Sequence, residues 1–404
     1  MVDISRGLPA GPTGASDLLQ ILRDGRPRTR TELAALTGIA RSTVAIRVDA
    51  LMRAGLVEPA ADATSTGGRP SAQFALNTAG RYVLGVDVGA SHVRVGVSDL
   101  SGKLRAEESS ALEIAEGPEV VLGWVVDAGL RLLDQCGAAP TDLLAVGVGL
   151  PGPVEHSTGR PINPPIMPGW DRFDVPGWLM ERLDVPVLVD NDVNIMALGE
   201  HGLAWPDTDH LIFVKVATGI GSGVISDGHL QRGAQGIAGD IGHVHVSRGT
   251  GIPCRCGNLD CLEALASGPA VATVLRERGL EAASSADVVE LVKRGAVEAV
   301  QATRQAGRDL GEVLTACVSL MNPSVIVIGG SMARAGEHLI AGVREVVYTR
   351  CMPLATQHLQ IVQSRAGRNA ALLGASMLAI QHALSPERIE AMVASTSAPG
   401  ELVG

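Results

Sequence analysis

At 404 residues the chain is too long for one ordinary domain and is expected to form two or three, and its 46% hydrophobic share can fill several cores. No uninterrupted apolar run reaches the roughly 18 residues a membrane-spanning helix needs, and the first residues lack the apolar centre of a secretory signal, so a cytoplasmic protein with no membrane partner is expected. The net charge of −10 taken whole argues against nucleic acid, but residues 1–80 carry +2 and the remainder −12, and a basic head still approaches a phosphate backbone that repels an acidic body.

Residues 1–15, rich in Gly and Pro, are expected to be disordered. A helical pattern starts at Ser16, with Leu18, Leu19, Ile21 and Leu22 on one face. Thr29 and Glu32 match a capping box that opens a second helix through Leu36, and Thr37-Gly38 makes a turn. A third helix is expected from about Arg41 to Ala54, its buried face marked by Val44, Val48 and Leu51, although Ala40 is a poor cap for it. Leu56-Val57-Glu58 and Gln73 to Leu76 read as two short strands joined by a loop over Thr64 to Pro70. Three short helices and a small hairpin are the plan of a winged helix-turn-helix, placed at residues 16–80.

In that plan the third helix presents its N-terminal side chains to the major groove of double-stranded DNA. Ser42, Ile46 and Arg53 lie opposite the buried stripe, flanked by Arg41, Thr43 and Arg47. Arginine reads guanine or clamps phosphate, Ser and Thr do either, and Ile46 suits a thymine methyl. In the loop, Gly67-Gly68-Arg69-Pro70 is positioned to lay Arg69 in a minor groove. One such head covers too little DNA for tight binding, so a homodimer or homotetramer on an inverted-repeat operator is expected.

The body, residues 81–404, opens with a β-rich run from Tyr82 to Val88 that ends in Asp87-Val88-Gly89, followed after a turn by a second strand from Val93 to Ser98. A similar hairpin returns at Leu211 to Val216, with a turn at Thr218-Gly219-Ile220-Gly221 and a strand from Gly223 to Ser226. The repetition predicts a duplicated α/β body of two similar lobes with a ligand cleft between them. Within it, Cys254, Cys256 and Cys261 fall in eight residues, with His243 eleven residues upstream of the first. Three thiolates and an imidazole suit tetrahedral zinc with no open position, a structural site over residues 243–263, and His245 competes with His243 for the fourth place. Asp192, following Asn191 at the end of the strand Val187 to Val189, and Glu263 are the carboxylates that stand out near a cleft.

Ala238-Gly239-Asp240-Ile241-Gly242-His243, followed by Cys254-Arg255-Cys256-Gly257-Asn258-Leu259-Asp260-Cys261-Leu262-Glu263, closely resembles the signature of the ROK family of repressors and sugar kinases. The head with its Gly-Gly-Arg-Pro loop is similar to the regulator branch, the xylose and N-acetylglucosamine repressors among them. The resemblance implies an actin-like, sugar-kinase-like body of duplicated ribonuclease H-like lobes. It also implies zinc on His243, Cys254, Cys256 and Cys261, and sugar hydroxyls on Asn191, Asp192, Asp240, His243 and Glu263, with Gly152 and Asn163 near the sugar. Asp192 is the position that acts as general base in the kinases.

Three departures bear on activity. Asp240 stands where the kinases carry Glu. Their first phosphate turn, Asp-x-Gly-Gly-Thr-Lys, is here Asp87-Val88-Gly89-Ala90-Ser91-His92, and Ser222 replaces a usual glycine in the second. ATP binding and catalysis are therefore not expected. A regulator of carbohydrate genes with a sugar effector is the leading expectation. Its alternatives are an active ATP-dependent sugar kinase with a DNA-binding head and a sensor that answers to a protein partner.

Overall fold

The structure, a computed structural model, describes residues 14–60, 72–164 and 167–397. The predicted disordered start and the Thr64 to Pro70 loop fall mostly or wholly outside those residues. No helix among the described residues is long and apolar enough to cross a membrane.

The head follows its local signals. Helices span Ala15–Leu22, Arg30–Thr37 and Arg41–Arg53. Thr29 caps the second, accepting from Glu32 N while Glu32 bonds back to Thr29 N, and Gly38 ends it in a left-handed conformation. Ala40 makes no side-chain cap to the third helix. Strands Arg28–Thr29 and Val57–Pro59 flank Gln73–Leu76 in a three-stranded sheet.

The head's core does not close on itself. Leu18, Leu22, Val44, Val48 and Leu51 share one apolar cluster with Ile380, Leu384 and Ile389, far along the chain. The last described helix, Pro386–Ser397, lies against the first and third helices. Gln20 Nε2 donates to Leu384 O at 2.8 Å and Ser16 N to Glu390 Oε1 at 2.9 Å. A division at residue 81 thus leaves out the helix that completes the head.

The body consists of two five-stranded sheets with one strand order. In the first, Tyr82–Val88 is central; Val93–Asp99 and Leu104–Ser110 follow antiparallel on one side, Leu143–Leu150 and Val187–Asn191 parallel on the other. In the second, Leu211–Val216 is central, with Ile220–Ser226 and His229–Gln231 antiparallel, and Val325–Gly329 and Gln360–Gln363 parallel. The predicted duplication is therefore visible strand by strand, although the second hairpin's return strand begins at Ile220, earlier than expected. Apolar alternation is absent in the central strands because helices cover both faces.

The helix after the fifth strand of each lobe crosses to the other lobe. Asp192–Ala204 packs on the second sheet and Ala370–Ala383 on the first. Where they cross, a Cβ on Gly199 would lie 1.9 Å from Ala370 O, and one on Gly374 would lie 1.8 Å from Ile195 O. Only glycine permits that backbone approach. The crossing pair lies at the seam of the lobes, and the second helix leads directly to the segment docked on the head.

Candidate functional site

Between the lobes opens a cavity of about 1210 Å³, roughly the upper end of small-molecule pockets. Its wall includes Gly152, Asn163, Asn191, Asp192, Asp240, His243 and Glu263, so the fold brings together all seven positions named from the family resemblance. Strand ends do the positioning: Asn191 closes the fifth strand of the first lobe, and Asp192 opens the crossing helix.

These residues are not equally available. Asn191 caps the crossing helix, its Oδ1 accepting from Val193 N at 2.9 Å while its Nδ2 donates to Gly152 O at 2.8 Å. Each bond uses one of the amide's two donors and one of its two acceptor sites, leaving one of each toward the cavity. Asn163 sits in a left-handed conformation, its N–H donating to Asp171 Oδ1 at 2.8 Å. Glu263 Oε2 accepts from Ile220 N at 3.0 Å, bracing the turn of the second hairpin. Asp240 is exposed and makes no cap bond to the short helix Ile241–His243. Beside it Ser222, the departure from glycine, donates through Oγ to Gly239 O at 2.8 Å. Gly239 has φ 97°, and a Cβ there would lie 2.1 Å from Ser222 O.

Asp192 is 6% exposed and ion-paired with Lys215, which projects from the central strand of the opposite lobe. Burial works to lower the Lys215 ammonium's pKa, but the carboxylates of Asp192, Asp87 and Glu263 together hold it above the usual lysine value. Under this pair, Asp190 accepts from Arg232 Nε at 2.6 Å and Asn194 Nδ2 at 2.8 Å, a second ionic tie between the lobes.

The first hairpin's turn is filled by its own residue. His92 folds over Gly89, where a Cβ would lie 2.1 Å from the ring, and its Nε2 is 3.6 Å from Asp87 Oδ2.

Beyond Glu263 lies the cysteine cluster. Ligand atoms of His243, Cys254, Cys256 and Cys261 all lie within 4.8 Å of one another. Cys256 Sγ is 3.6 Å from Cys261 Sγ, and Cys254 Sγ is 3.5 Å from His243 Nδ1. Tetrahedral zinc with bonds of about 2.3 Å to sulfur sets its sulfurs about 3.8 Å apart, so the donor set fits that ion. Geometry selects His243 over His245, whose backbone instead bridges Cys261. With Nδ1 turned to the thiols, the far side of the His243 ring is left for the cavity. The N–H of Asn258 helps lower the Cys256 thiol to about 7, whereas burial pushes Cys261 up to about 12. The loop is tied down by Arg248, whose guanidinium grips Asp309 with two bonds of 2.6 Å on the long helix Val297–Met321.

On the third helix of the head, Arg41 and Ser42 are exposed, Thr43 is half-buried and Ile46 is 68% exposed. Arg47, like Thr43, is half-buried, with Nη1 3.5 Å from Gly14 O. Arg69 lies outside the described residues.

Comparison with known proteins now places the chain. The ROK family pattern matches residues 83–382 and an IclR helix-turn-helix domain matches residues 15–60. The chain belongs to the ROK family. Within this family it is 28% identical to the xylose repressor of Bacillus subtilis, over 91% of this chain and 94% of that one. It is 31% identical to the glucokinase of Thermotoga maritima, over 73% of this chain and 96% of that one. A crystal structure of a ROK family transcriptional regulator, a homolog of the E. coli MLC protein, superposes with a TM-score of 0.81, covering 94% of this chain and 98% of that one at 23% identity. That likeness fixes the fold: a helix-turn-helix head on a kinase-like body.

Two parts of the site escaped the sequence reading. Lys215 is a single basic residue in the apolar strand Leu211–Val216, a visible anomaly that went unused. The helix Pro386–Ser397 carries no motif, and only its long-range packing reveals it.

Proposed function

We propose that the chain is a DNA-binding repressor of carbohydrate-utilisation genes whose kinase-like body binds a sugar as effector. One observation carries this: the xylose repressor aligns across both head and body, whereas the glucokinase aligns over the body's share alone. The working units are the head, residues 16–80 with the helix Pro386–Ser397, and the two-lobed body. Asn191, Asp192, Asp240, His243 and Glu263 meet sugar hydroxyls, with Gly152 and Asn163 as walls. Zinc, held by His243, Cys254, Cys256 and Cys261, supplies rigidity to the loop that presents Glu263 and no chemistry to the sugar. Arg41, Ser42, Thr43, Ile46 and Arg47 face the major groove, and Arg69 the minor groove.

Sugar bound across the cleft favours one angle between the lobes. The crossing helix Ala370–Ala383 sits at that seam, and the segment after it shares the head's core. A lobe rotation therefore moves the heads. In a dimer or tetramer this changes their spacing on an inverted-repeat operator. The active-kinase alternative is disfavoured by His92 and Ala90 in the first turn.

The test is operator binding by fluorescence anisotropy, using upstream regions of carbohydrate genes, with and without a panel of sugars chosen by thermal shift. Binding to a two-fold site, released by one sugar, is expected. Arg41→Ala weakens operator binding by about 1–3 kcal/mol and leaves sugar binding unchanged. Metal analysis gives about one zinc per chain. Protection of a single unrepeated half-site would count against the assembly, and a zinc content near zero would sink the metal site.

A further inference from the structure

Only three of the 33 basic residues are lysine, and one of these, Lys215, stands in the cleft where the two lobes meet. An ammonium has three N–H donors. One goes to Asp192 Oδ2. Asp87 and Glu263 act on Lys215 through charge, and Asp192 is its one hydrogen-bond acceptor among the described residues. In the sheet, Lys215 lies opposite Gly221 on one side and Gly329 on the other. Cross-strand neighbours share a face, so no side chain flanks the lysine there, and Lys215 lines the cavity.

We infer that Lys215 is a ligand of the effector, donating its two remaining protons to hydroxyls of an uncharged sugar. The inference rests on the reading that the cleft binds the effector. A hydroxyl both donates and accepts, so it can bridge the Asp192 carboxylate and the Lys215 ammonium, using both halves of its capacity. Asp192, Asp87 and Glu263 outnumber the ammonium at its own position, and a carboxylate or phosphate placed on Lys215 would meet their like charge, while Arg94, Arg255, Arg334 and Arg368 stand elsewhere on the cavity wall. A compact ammonium with rotatable donors suits scattered hydroxyls; the planar fork of arginine suits carboxylate or phosphate.

The experiment is calorimetric titration of the full chain with uncharged monosaccharides, their monodeoxy analogues, uronic acids and sugar phosphates, on wild type and Lys215→Met. Wild type is expected to bind an uncharged sugar and to prefer it over one monodeoxy analogue by about tenfold to a hundredfold, the range for a hydrogen bond to a charged group. That preference should vanish in Lys215→Met, a change that a merely structural lysine would not produce. If Lys215→Met does not fold, Lys215→Gln decides the matter: its neutral amide donates more weakly, and the preference should fall at least about threefold. An uncharged sugar bound with the same preference in wild type and variant overturns the inference and leaves the sensor reading intact. So does binding restricted to acids or phosphates. No binding across the panel overturns both.

Discussion

The two lobes share a strand order but stabilise their hairpin turns differently. In the first, the turn Gly89 to His92 is closed by Gly89 N donating to His92 O at 2.8 Å and by the His92 ring lying over the glycine, with one backbone tie from Ile114 N to Ala90 O at 3.0 Å. In the second, the turn at Gly219-Ile220 is braced from outside by Glu263, delivered by the cysteine loop, which Arg248 in turn pins to Asp309. A duplicated fold thus keeps its sheets and changes its turns. The first lobe's turn rests on its own residues and one backbone bond from Ile114, while the second lobe's takes a side-chain brace from a distant loop, so damage to that loop should reach the ligand site.

Metal loss is the largest way to exploit this difference. Cys254→Ser, or dialysis against a chelator, should release the loop and with it Glu263. The melting temperature is expected to fall by about 10 °C, the scale for losing a ligand bound far above its dissociation constant, and sugar affinity should collapse. Acid should mimic the change. Zinc binds only deprotonated thiols. Burial raises the Cys254 and Cys261 pKa values, the latter to about 12, so zinc displaces those protons near neutrality; below about 7 it must displace the Cys256 proton as well. Metal-dependent stability is therefore present at higher pH and lost as pH falls, with a steeper loss below about 7. Zinc release followed by a chromogenic chelator across pH checks the slope, and a flat profile would contradict it.

Arg248→Ala is the next step down. Asp309 is 2% exposed and would be left, among the described residues, with Gln305 Nε2 at 3.0 Å as its side-chain donor. The Arg248 side chain is 40% exposed, so water screens the pair and the loss is about 1–3 kcal/mol, that of a buried acceptor left short of a partner. Urea unfolding should register that loss in the body, and Asp309→Asn in the same chain should recover part of it by removing the stranded charge.

How much of this was legible in the sequence depends on range. The Thr29–Glu32 capping box, the Gly38 stop and the buried stripe of Val44, Val48 and Leu51 are set by neighbours within a few residues, and each is found as expected. The duplication was legible because glycine-rich turns recur between apolar strands. The cysteine cluster was legible because its spacing is local, but the choice between His243 and His245 needed the fold or the family. Lys215 faces Asp87, Asp192 and Glu263 from three other chain segments, and no local pattern foretells that meeting. Ser16 meets Glu390 across 374 residues, which is why the head's missing helix was assigned to the body.

The smallest effect should fall on the first lobe's turn, and its smallness is the sharpest form of the comparison. His92 is half exposed, and its contact with Asp87 is long at 3.6 Å, so the pair resembles a surface ion pair of at most about 1 kcal/mol. His92→Ala should shift urea unfolding by less than that and leave the second lobe's metal and turn untouched. It should not awaken catalysis either. Phosphoryl transfer needs groups that hold the phosphates as much as it needs a base. Ala90 still places a methyl where a backbone would have to approach a phosphate closely, and Ser91 brings a hydroxyl but no fixed charge. With Lys215 already seated on Asp192, the carboxylate at the kinases' base position is part of an ion pair between lobes. A coupled assay with ATP and the sugar giving the largest thermal shift should stay below about one turnover per second, the low end of the kinase range, in both wild type and His92→Ala. Faster turnover in wild type would make the body an enzyme. Faster turnover in the variant alone would mean that His92, and not the whole first turn, is what separates this sensor from the kinases of its family.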